Sequence, residues 1–190
     1  MLENHREHLP RTSARPRSVA LSPIGSYAPT MVTEDETPAD AAAADPAKLA
    51  RALVTENSYL TLATAGGDGI PWASPVWFAA RDLDVFVWVS KPGARHSRNI
   101  EENSRVSLVI FDSSRPPGEG SAFYVAATAE LVRESAFADA LALYNARSLD
   151  QGLGEWDPAR LRDPARHRLY RAVALESFVL DDHDERVKVS

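Results

Sequence analysis

Residues 85–111 read VFVWVSKPGARHSRNIEENSRVSLVIF, and this stretch decides the fold. It begins with a β-branched and aromatic run, Val85 to Ser90, which predicts a buried strand. Lys91-Pro92-Gly93 ends that strand, and residues 94–103 have the pattern of a short helix before a second strong strand, Arg105 to Phe111. The stretch therefore predicts a strand, a basic turn, a short helix and another strand.

The charges of the predicted helix run against its dipole. Arg95 and His96 stand at its start, whereas Glu101 and Glu102 stand at its end. An isolated helix prefers the reverse arrangement by about 0.3–1 kcal/mol per charge, so an anion bound at the start would compensate for the mismatch. Backbone N–H groups of a helix start and a bidentate arginine together form a natural phosphate site. The alternative is a basic turn that is simply solvated.

The segment before this unit predicts a helix and a β-meander. Asp45-Pro46 has the pattern of an N-cap followed by proline, and the helix should end near Asn57. The predicted strands, separated by a glycine-rich hairpin turn at 66–69 and a second turn at 81–84, are Tyr59–Ala65, Ile70–Ala80 and Val85–Ser90. We expect these three strands to pair in sequence order.

The segment after Phe111 predicts more strands around one long helix. In order, we expect a loop over 112–120, a strand over 123–132, a helix over 134–148, a loop over 152–164 around Trp156, and strands over 167–175, 177–180 and 186–189. The whole pattern predicts a mostly antiparallel β-barrel with helical connections.

Composition divides the chain and excludes several classes of function. Residues 1–44 are polar and interrupted by prolines, which predicts a flexible N-terminal arm before one domain over 45–190. The absence of cysteine excludes disulfides, thiolate metal sites and cysteine nucleophiles. A net charge of -6 argues against broad nucleic-acid binding. No apolar run suits a membrane span or a signal peptide, so we expect a soluble, cytoplasmic protein.

The basic turn and its surroundings resemble the pyridoxamine 5'-phosphate oxidase-like family. The shared pattern is a strand ending in a hydroxyl residue, a basic turn, a short helix, and a strand that opens with a variant of N-P-R-V-S-L. Here Ser104 replaces the proline of that motif. The resemblance extends more loosely over 45–180. It implies a split β-barrel that binds flavin mononucleotide (FMN) and works as a homodimer, with the flavin between the subunits.

The same resemblance implies where the flavin is held. The second predicted strand would follow the isoalloxazine ring, the end of the third would lie near the ring and ribityl chain, and the basic turn would bind the phosphate. The cofactor-binding residues implied in this way are Ser74, Val76, Trp77, Val89, Ser90, Arg95, His96 and Ala122. Ala122 falls where the family often has a glutamine, so the polar contacts of that strand should differ.

Departures from the family pattern narrow the range of possible substrates. Pyridoxamine phosphate oxidases carry an arginine and a lysine where this chain has Ser74 and Ala79, and they end in an Arg-Leu motif that residues 181–190 lack. A vitamin B6 phosphate is therefore not the expected substrate. We expect an FMN-dependent oxidoreductase acting on a small aromatic or conjugated molecule. No side chain need act as an acid or base, so no catalytic residue is named.

Two alternative functions stay open. The first is a reductase that uses the 8-hydroxy-5-deazaflavin coenzyme, because relatives of this fold resemble one another in the basic turn while differing in cofactor. The second is a non-catalytic flavin-binding or haem-binding module.

The tryptophans and two histidines have simpler interpretations. Trp72 and Trp88 are expected in the core, whereas Trp77 and Trp156 could equally stack on a planar ligand. His167 and His183 lack the spacing of metal ligands, so no metal site is expected.

Overall fold

The computed structural model describes residues 45–116, 118, 120–180 and 185–189. The predicted N-terminal arm and His183 lie outside these residues. The elements in chain order are α1 (Pro46–Glu56), β1 (Tyr59–Ala65), β2 (Pro71–Trp77), β3 (Ala79–Arg81), β4 (Val85–Ser90), α2 (Arg95–Glu102), β5 (Arg105–Phe111), β6 (Ala122–Leu131), α3 (Glu134–Asp150), a 3₁₀ helix (Pro158–Leu161), β7 (Arg168–Leu180) and β8 (Arg186–Lys188).

The strands form one antiparallel sheet that curls into a barrel. The strand order is β2-β1-β5-β6-β7-β4-β3, and β8 pairs with the far end of β7. The two ends of this path, β2 and β3, are consecutive in the chain and separated only by Phe78. That buried residue therefore turns the chain from one end of the sheet to the other. The architecture is a split β-barrel, as the sequence predicts.

The predicted three-strand meander is wrong in one respect. Residues 70–80 were expected to form one strand, but β2 pairs with β1 whereas β3 pairs with β4. The chain changes its pairing partner at Phe78, so β2 and β4 share no register. Residue preferences favour extended backbone on both sides of Phe78 and contain no signal for the change of partner.

The two strands expected over 167–175 and 177–180 are a single strand, β7. Ala126 pairs with Glu176 but Ala127 pairs with Ala174, so Leu175 is an extra residue in β7. It is 53% exposed. Such a bulge interrupts the alternation of side chains without ending the strand. The interrupted alternation explains why the sequence pattern predicts two strands.

Two clusters of apolar side chains hold the fold together. The larger fills the barrel and includes the fully buried Trp88, Phe86 and Phe123. The smaller lies between α3 and the outer side of β4 and includes Tyr144 and Leu161. The core position predicted for Trp88 is confirmed.

The core position predicted for Trp72 is wrong. Its side chain is 43% exposed, although it shares the inner face of the β1–β2 hairpin with Thr64. The hairpin extends past the closed part of the barrel, where α2 covers it only in part. A strand residue on the inner face is buried only where another layer lies over it.

Helix α2 is fastened to the β1–β2 hairpin at its last turn. The hairpin turn is confirmed, since Gly69 has a φ of 72° and its N–H donates to the Gly66 carbonyl at 3.0 Å. The Glu102 carboxylate accepts from the Gly67 N–H at 2.8 Å. The Asn99 amide donates to the Thr64 hydroxyl at 3.0 Å. The hydrogen bond to Gly67 thus gives Glu102, one of the two acids at the helix end, a structural role.

Gly66→Ala is expected to reduce the free energy of unfolding by about 1–3 kcal/mol, because a Cβ there is crowded. It would lie 2.9 Å from Glu102 Oε2 and 3.2 Å from Asn99 Oδ1. Glu102 can turn aside only by losing its bond to Gly67, and Asn99 is buried. Urea unfolding measures the effect. Gly154→Ala is the matched control, since open space surrounds that position, and equal stability of both variants would contradict the prediction.

Candidate functional site

His96 joins three elements at one end of the barrel. It lies in the first turn of α2, and its Nε2 is 2.6 Å from the hydroxyl of Ser90, the last residue of β4. Its Nδ1 is 3.1 Å from the hydroxyl of Ser74 on β2. A neutral imidazole has one donor and one acceptor nitrogen, so one serine accepts and the other donates. We call this arrangement the Ser-His-Ser bridge.

The start of α2 beside this bridge is basic and has no side-chain cap among the described residues. Ala94, the N-cap residue, has extended backbone and offers no hydrogen-bonding side chain. The Arg95 guanidinium carbon lies 4.6 Å from the centre of the Trp72 ring, and no described carboxylate forms an ion pair with it. Free N–H groups, a cation and two hydroxyls therefore meet at one point, which is the donor set that an oxyanion requires.

Burial lowers the pKa of His96 from its ordinary value. The imidazole is therefore neutral at neutral pH while the site is without an anion. An anion beside the ring would favour the charged form and draw a proton onto it. Anion binding at this site is thus expected to be coupled to proton uptake.

Protein stability is expected to fall with acidification partly through His96. Because its folded pKa is lowered, the unfolded chain binds the proton more readily, so the contribution is present above the unfolded value and is lost as pH falls through the folded one. His96→Gln should flatten this part of the curve. Melting temperatures measured between about pH 8 and about pH 5 test this. His167→Gln should flatten the curve in the same sense, because burial also lowers the pKa of His167. Identical slopes in wild type and His96→Gln would contradict the prediction.

The structure brings together four of the eight predicted cofactor residues: Ser74, Ser90, Arg95 and His96. Val76 points into the barrel core. Trp77 and Val89 lie on the opposite side of their strands, packed against the α3 cluster. The Trp77 indole N–H donates to Gln151 Oε1 at 2.8 Å, and its ring meets Tyr144 edge-on at 4.8 Å. The polar edge of Trp77 is thus already occupied within the chain.

Ala122, the eighth predicted residue, lies at the other end of the sheet. Ser90 pairs with Arg168 at the start of β7, whereas Phe123 pairs with Val179 near its end. Ala122 itself is buried and pairs with Phe111. A single chain therefore does not bring Ala122 to the Ser-His-Ser bridge.

Trp72 is the site residue that sequence reasoning missed. It was assigned to the core, yet it lies under Arg95 and forms one wall of the basic helix start. Residues two apart on a strand share a face, so Trp72 and Ser74 lie on the same side of β2. This alternation along β2 was the sequence signal that could have placed Trp72 beside Ser74 at the candidate site.

The described residues give no support to a metal site. They contain no group of three or more His, Asp or Glu side chains placed to hold a metal ion. His167 instead packs edge-on against Trp156, with ring centres 5.7 Å apart. Within the same residues, no helix is long and apolar enough to cross a membrane.

The fold and the site define a class: a split β-barrel with an oxyanion-type donor set where α2 meets β2 and β4. The family model for pyridoxamine 5'-phosphate oxidase matches residues 47–178, and the chain belongs to that family. The family suggested by the basic turn is thereby confirmed. No curated protein sequence matches the chain.

Solved structures share the fold at low sequence identity. A haem-binding protein from Mycobacterium smegmatis has a TM-score of 0.59 and 20% identity over 75% of this chain, which spans only 56% of that protein. The haem storage protein HutZ from Vibrio cholerae has a TM-score of 0.54 and 23% identity. The match covers 70% of this chain and 92% of HutZ. A pyridoxine-phosphate oxidase family protein from Clostridium acetobutylicum has a TM-score of 0.56 and 14% identity. The match covers 75% of this chain and 92% of that protein.

Proposed function

We propose that this protein is an FMN-dependent oxidoreductase. The observation that supports this most directly is the Ser-His-Ser bridge beneath the uncapped, basic start of α2. Two hydroxyls, an imidazole, a guanidinium group and helix N–H groups converge there, and these groups suit the phosphate end of FMN. Among the described residues no carboxylate pairs with Arg95, so a phosphate would supply the missing negative charge.

The residues at this point would hold the cofactor rather than react. Arg95 and the N–H groups of α2 would bind the phosphate, and His96, when protonated, would add the attraction of its positive charge. When bound, FMN supplies two-electron redox chemistry on its ring system. The Trp72 ring holds the Arg95 guanidinium in place, which reduces the conformational freedom lost on binding.

The substrate is expected to be a small aromatic or conjugated molecule other than pyridoxamine phosphate. Ala79, which replaces the substrate-binding lysine of pyridoxamine phosphate oxidases, is fully buried. Its position therefore offers neither a cation nor an exposed surface. Ser74, which replaces the family arginine, is engaged with His96. Substrate specificity must come from other residues.

A homodimer is part of the proposal because the outer face of the sheet carries half-exposed apolar side chains, of which Tyr124 is partly covered by Arg186. Thr61, Val109, Tyr124 and Phe178 form a row across four neighbouring strands. At the ends of their strands on the same face, Tyr59 is 60% and Phe111 48% exposed. Monomeric proteins rarely leave a contiguous face of this kind in water. A second copy would cover it and would supply its own Ala122 to the flavin.

A haem-binding function is the main competing hypothesis, since two of the structural neighbours bind or store haem. An axial ligand needs a free imidazole nitrogen. Both nitrogens of His96 are engaged by serines. The Ser-His-Ser bridge therefore offers no free imidazole nitrogen to a haem iron. A cytoplasmic location accompanies the flavin proposal.

The deciding experiment is the absorption spectrum and mass of the small molecule that co-purifies with the full chain. FMN would give the flavin bands and its own mass. An intense Soret band with the mass of haem would contradict the proposal. A colourless protein that binds added 8-hydroxy-5-deazaflavin coenzyme but not FMN would support the deazaflavin alternative. Bound FMN that turns over with neither nicotinamide cofactor nor any electron acceptor would indicate a binding module.

A further inference from the structure

A second basic surface lies at the same edge of the sheet as the Ser-His-Ser bridge. Lys91 follows Ser90 directly, and Ser90 pairs with Arg168 across β4 and β7. The segment just before Arg168 therefore lies close to Lys91. We call this surface the Trp156 cluster, and its residues are Lys91, Trp156, Arg160, Arg166 and His167.

The Trp156 ring is the rigid centre of this cluster. Asn145 on α3 holds the Trp156 backbone on both sides, accepting from its N–H at 2.9 Å and donating to its carbonyl at 3.2 Å. The ring has the Arg160 guanidinium carbon 4.9 Å from its centre and meets the His167 ring edge-on, with ring centres 5.7 Å apart. The aromatic surface and one cation are thus held in place before any ligand arrives.

The cations of the cluster have no negative partners. No described carboxylate forms an ion pair with Lys91, Arg160 or Arg166, because the nearby acids are used elsewhere. Asp157 accepts from the Ala159 N–H at 2.8 Å to cap the 3₁₀ helix, and Asp163 pairs with Arg168.

One further acid, Glu155, directly precedes Trp156 in the chain. It lines a cavity of about 520 Å³ against α3 that Arg162 also lines, and no described ion pair joins it to the cations of the cluster.

The charges of the cluster act on His167. Burial lowers the pKa of His167, and the positive charges of Lys91, Arg166 and Arg160 lower it further. Like charges held near one another disfavour the folded arrangement unless an anion lies between them. This local excess of positive charge occurs in a chain whose net charge is -6. Perturbed groups of this kind are enriched at functional sites.

We propose that the Trp156 cluster is an oxyanion subsite that takes the phosphate or carboxylate group of a planar ligand. The cations would bind the oxyanion, and the exposed part of the Trp156 ring would stack on the planar part of the ligand. Assigning this ligand as the substrate of the oxidoreductase rests on the proposed function, whereas the binding of an oxyanion does not. The substrate class is then an anionic aromatic or conjugated molecule.

The test follows the imidazole resonances of the full chain by NMR, with His167→Gln and His96→Gln used for assignment. Inorganic pyrophosphate and benzoate are the probes, each compared with chloride at the same ionic strength. The titration midpoint of His167 should move upward saturably with either probe, because the anion stabilises the imidazolium. Arg160→Gln combined with Arg166→Gln should weaken both probes by at least roughly tenfold. Arg51→Gln, an exposed arginine on α1, should change nothing.

The outcomes separate this subsite from the flavin site. A response of His96 alone, with His167 unchanged, would overturn the subsite and leave the proposed function intact. A shift no larger than that in chloride would also overturn it, since general screening would explain the effect. A saturable response of His167 in a protein that binds no flavin would support the subsite and count against the proposed function.

Discussion

Replacing Arg95 with alanine is expected to weaken FMN binding by roughly 10- to 150-fold while leaving riboflavin nearly unaffected. The two ligands share the ring and the ribityl chain and differ only in the phosphate. Losing one charge-assisted hydrogen bond costs about 1.5–3 kcal/mol, and the cost should fall on the ligand that has the anion. Fluorescence titration of wild type and Arg95→Ala with both ligands measures the difference.

The matched control for Arg95→Ala is Arg98→Ala, on the same helix. The Arg98 side chain donates to the Gly93 carbonyl, so its guanidinium is engaged within the chain. Its removal changes the net charge equally, so a general electrostatic effect would appear in both variants. Equal losses for FMN and riboflavin in Arg95→Ala would show that the start of α2 is not the phosphate site.

The same titrations have a pH dependence that His96 should cause. The ring is neutral without a ligand, because burial lowers its pKa. A bound phosphate should raise the pKa, so the attraction should be present at low pH and fade as pH rises through the bound-state value. His96→Lys should remove that fade. A wild-type FMN affinity that does not change across neutral pH would mean that the imidazole does not face the phosphate.

Phe111→Glu is expected to convert a dimer into a monomer and to abolish tight flavin binding. Phe111 is an aromatic side chain on the apolar outer face, 48% exposed within one chain. Aromatic residues buried in an interface can contribute about 2 kcal/mol or more, and a buried unpaired carboxylate adds its desolvation penalty. The dimer dissociation constant should therefore rise by at least roughly 30-fold. Light scattering should change from about twice the chain mass of 20.8 kDa to that mass.

The control for Phe111→Glu is Leu149→Glu. Leu149 is 54% exposed on α3, outside the apolar face of the sheet. It receives the same charge at a similar exposure, so the dimer and the flavin should both survive. Two results would count against the homodimer: a wild-type monomer that binds flavin tightly, or a Phe111→Glu protein that stays dimeric.

The elements with the strongest local patterns could be predicted from sequence. β5 runs over Arg105–Phe111, as its alternating apolar residues indicate. α2 begins at Arg95, directly after the Pro-Gly break, and its basic start beside Ser90 follows from the spacing alone. Strand and helix patterns repeat over a few residues, so a short window contains the whole signal.

The spatial grouping of the candidate site residues was predicted in part. Ser74, Ser90, Arg95 and His96 do meet, although Ser74 and His96 are 22 positions apart in the chain. The family pattern indicated this meeting, because no local rule places a residue of β2 beside α2. Trp72 was assigned wrongly, since its burial depends on what covers the end of the hairpin.

The sequence by itself determined the strand and helix segments, the hairpin turn at Gly66–Gly69 and the reversed charges of α2, because each depends on neighbours within a few residues. Only the tertiary structure decided that the sheet turns at Phe78, that β7 continues through a bulge at Leu175, and that the cations around Trp156 lie together. These features depend on which distant segments pair and pack. Which segments pair depends on the free energy of the whole barrel, to which many weak contacts contribute together.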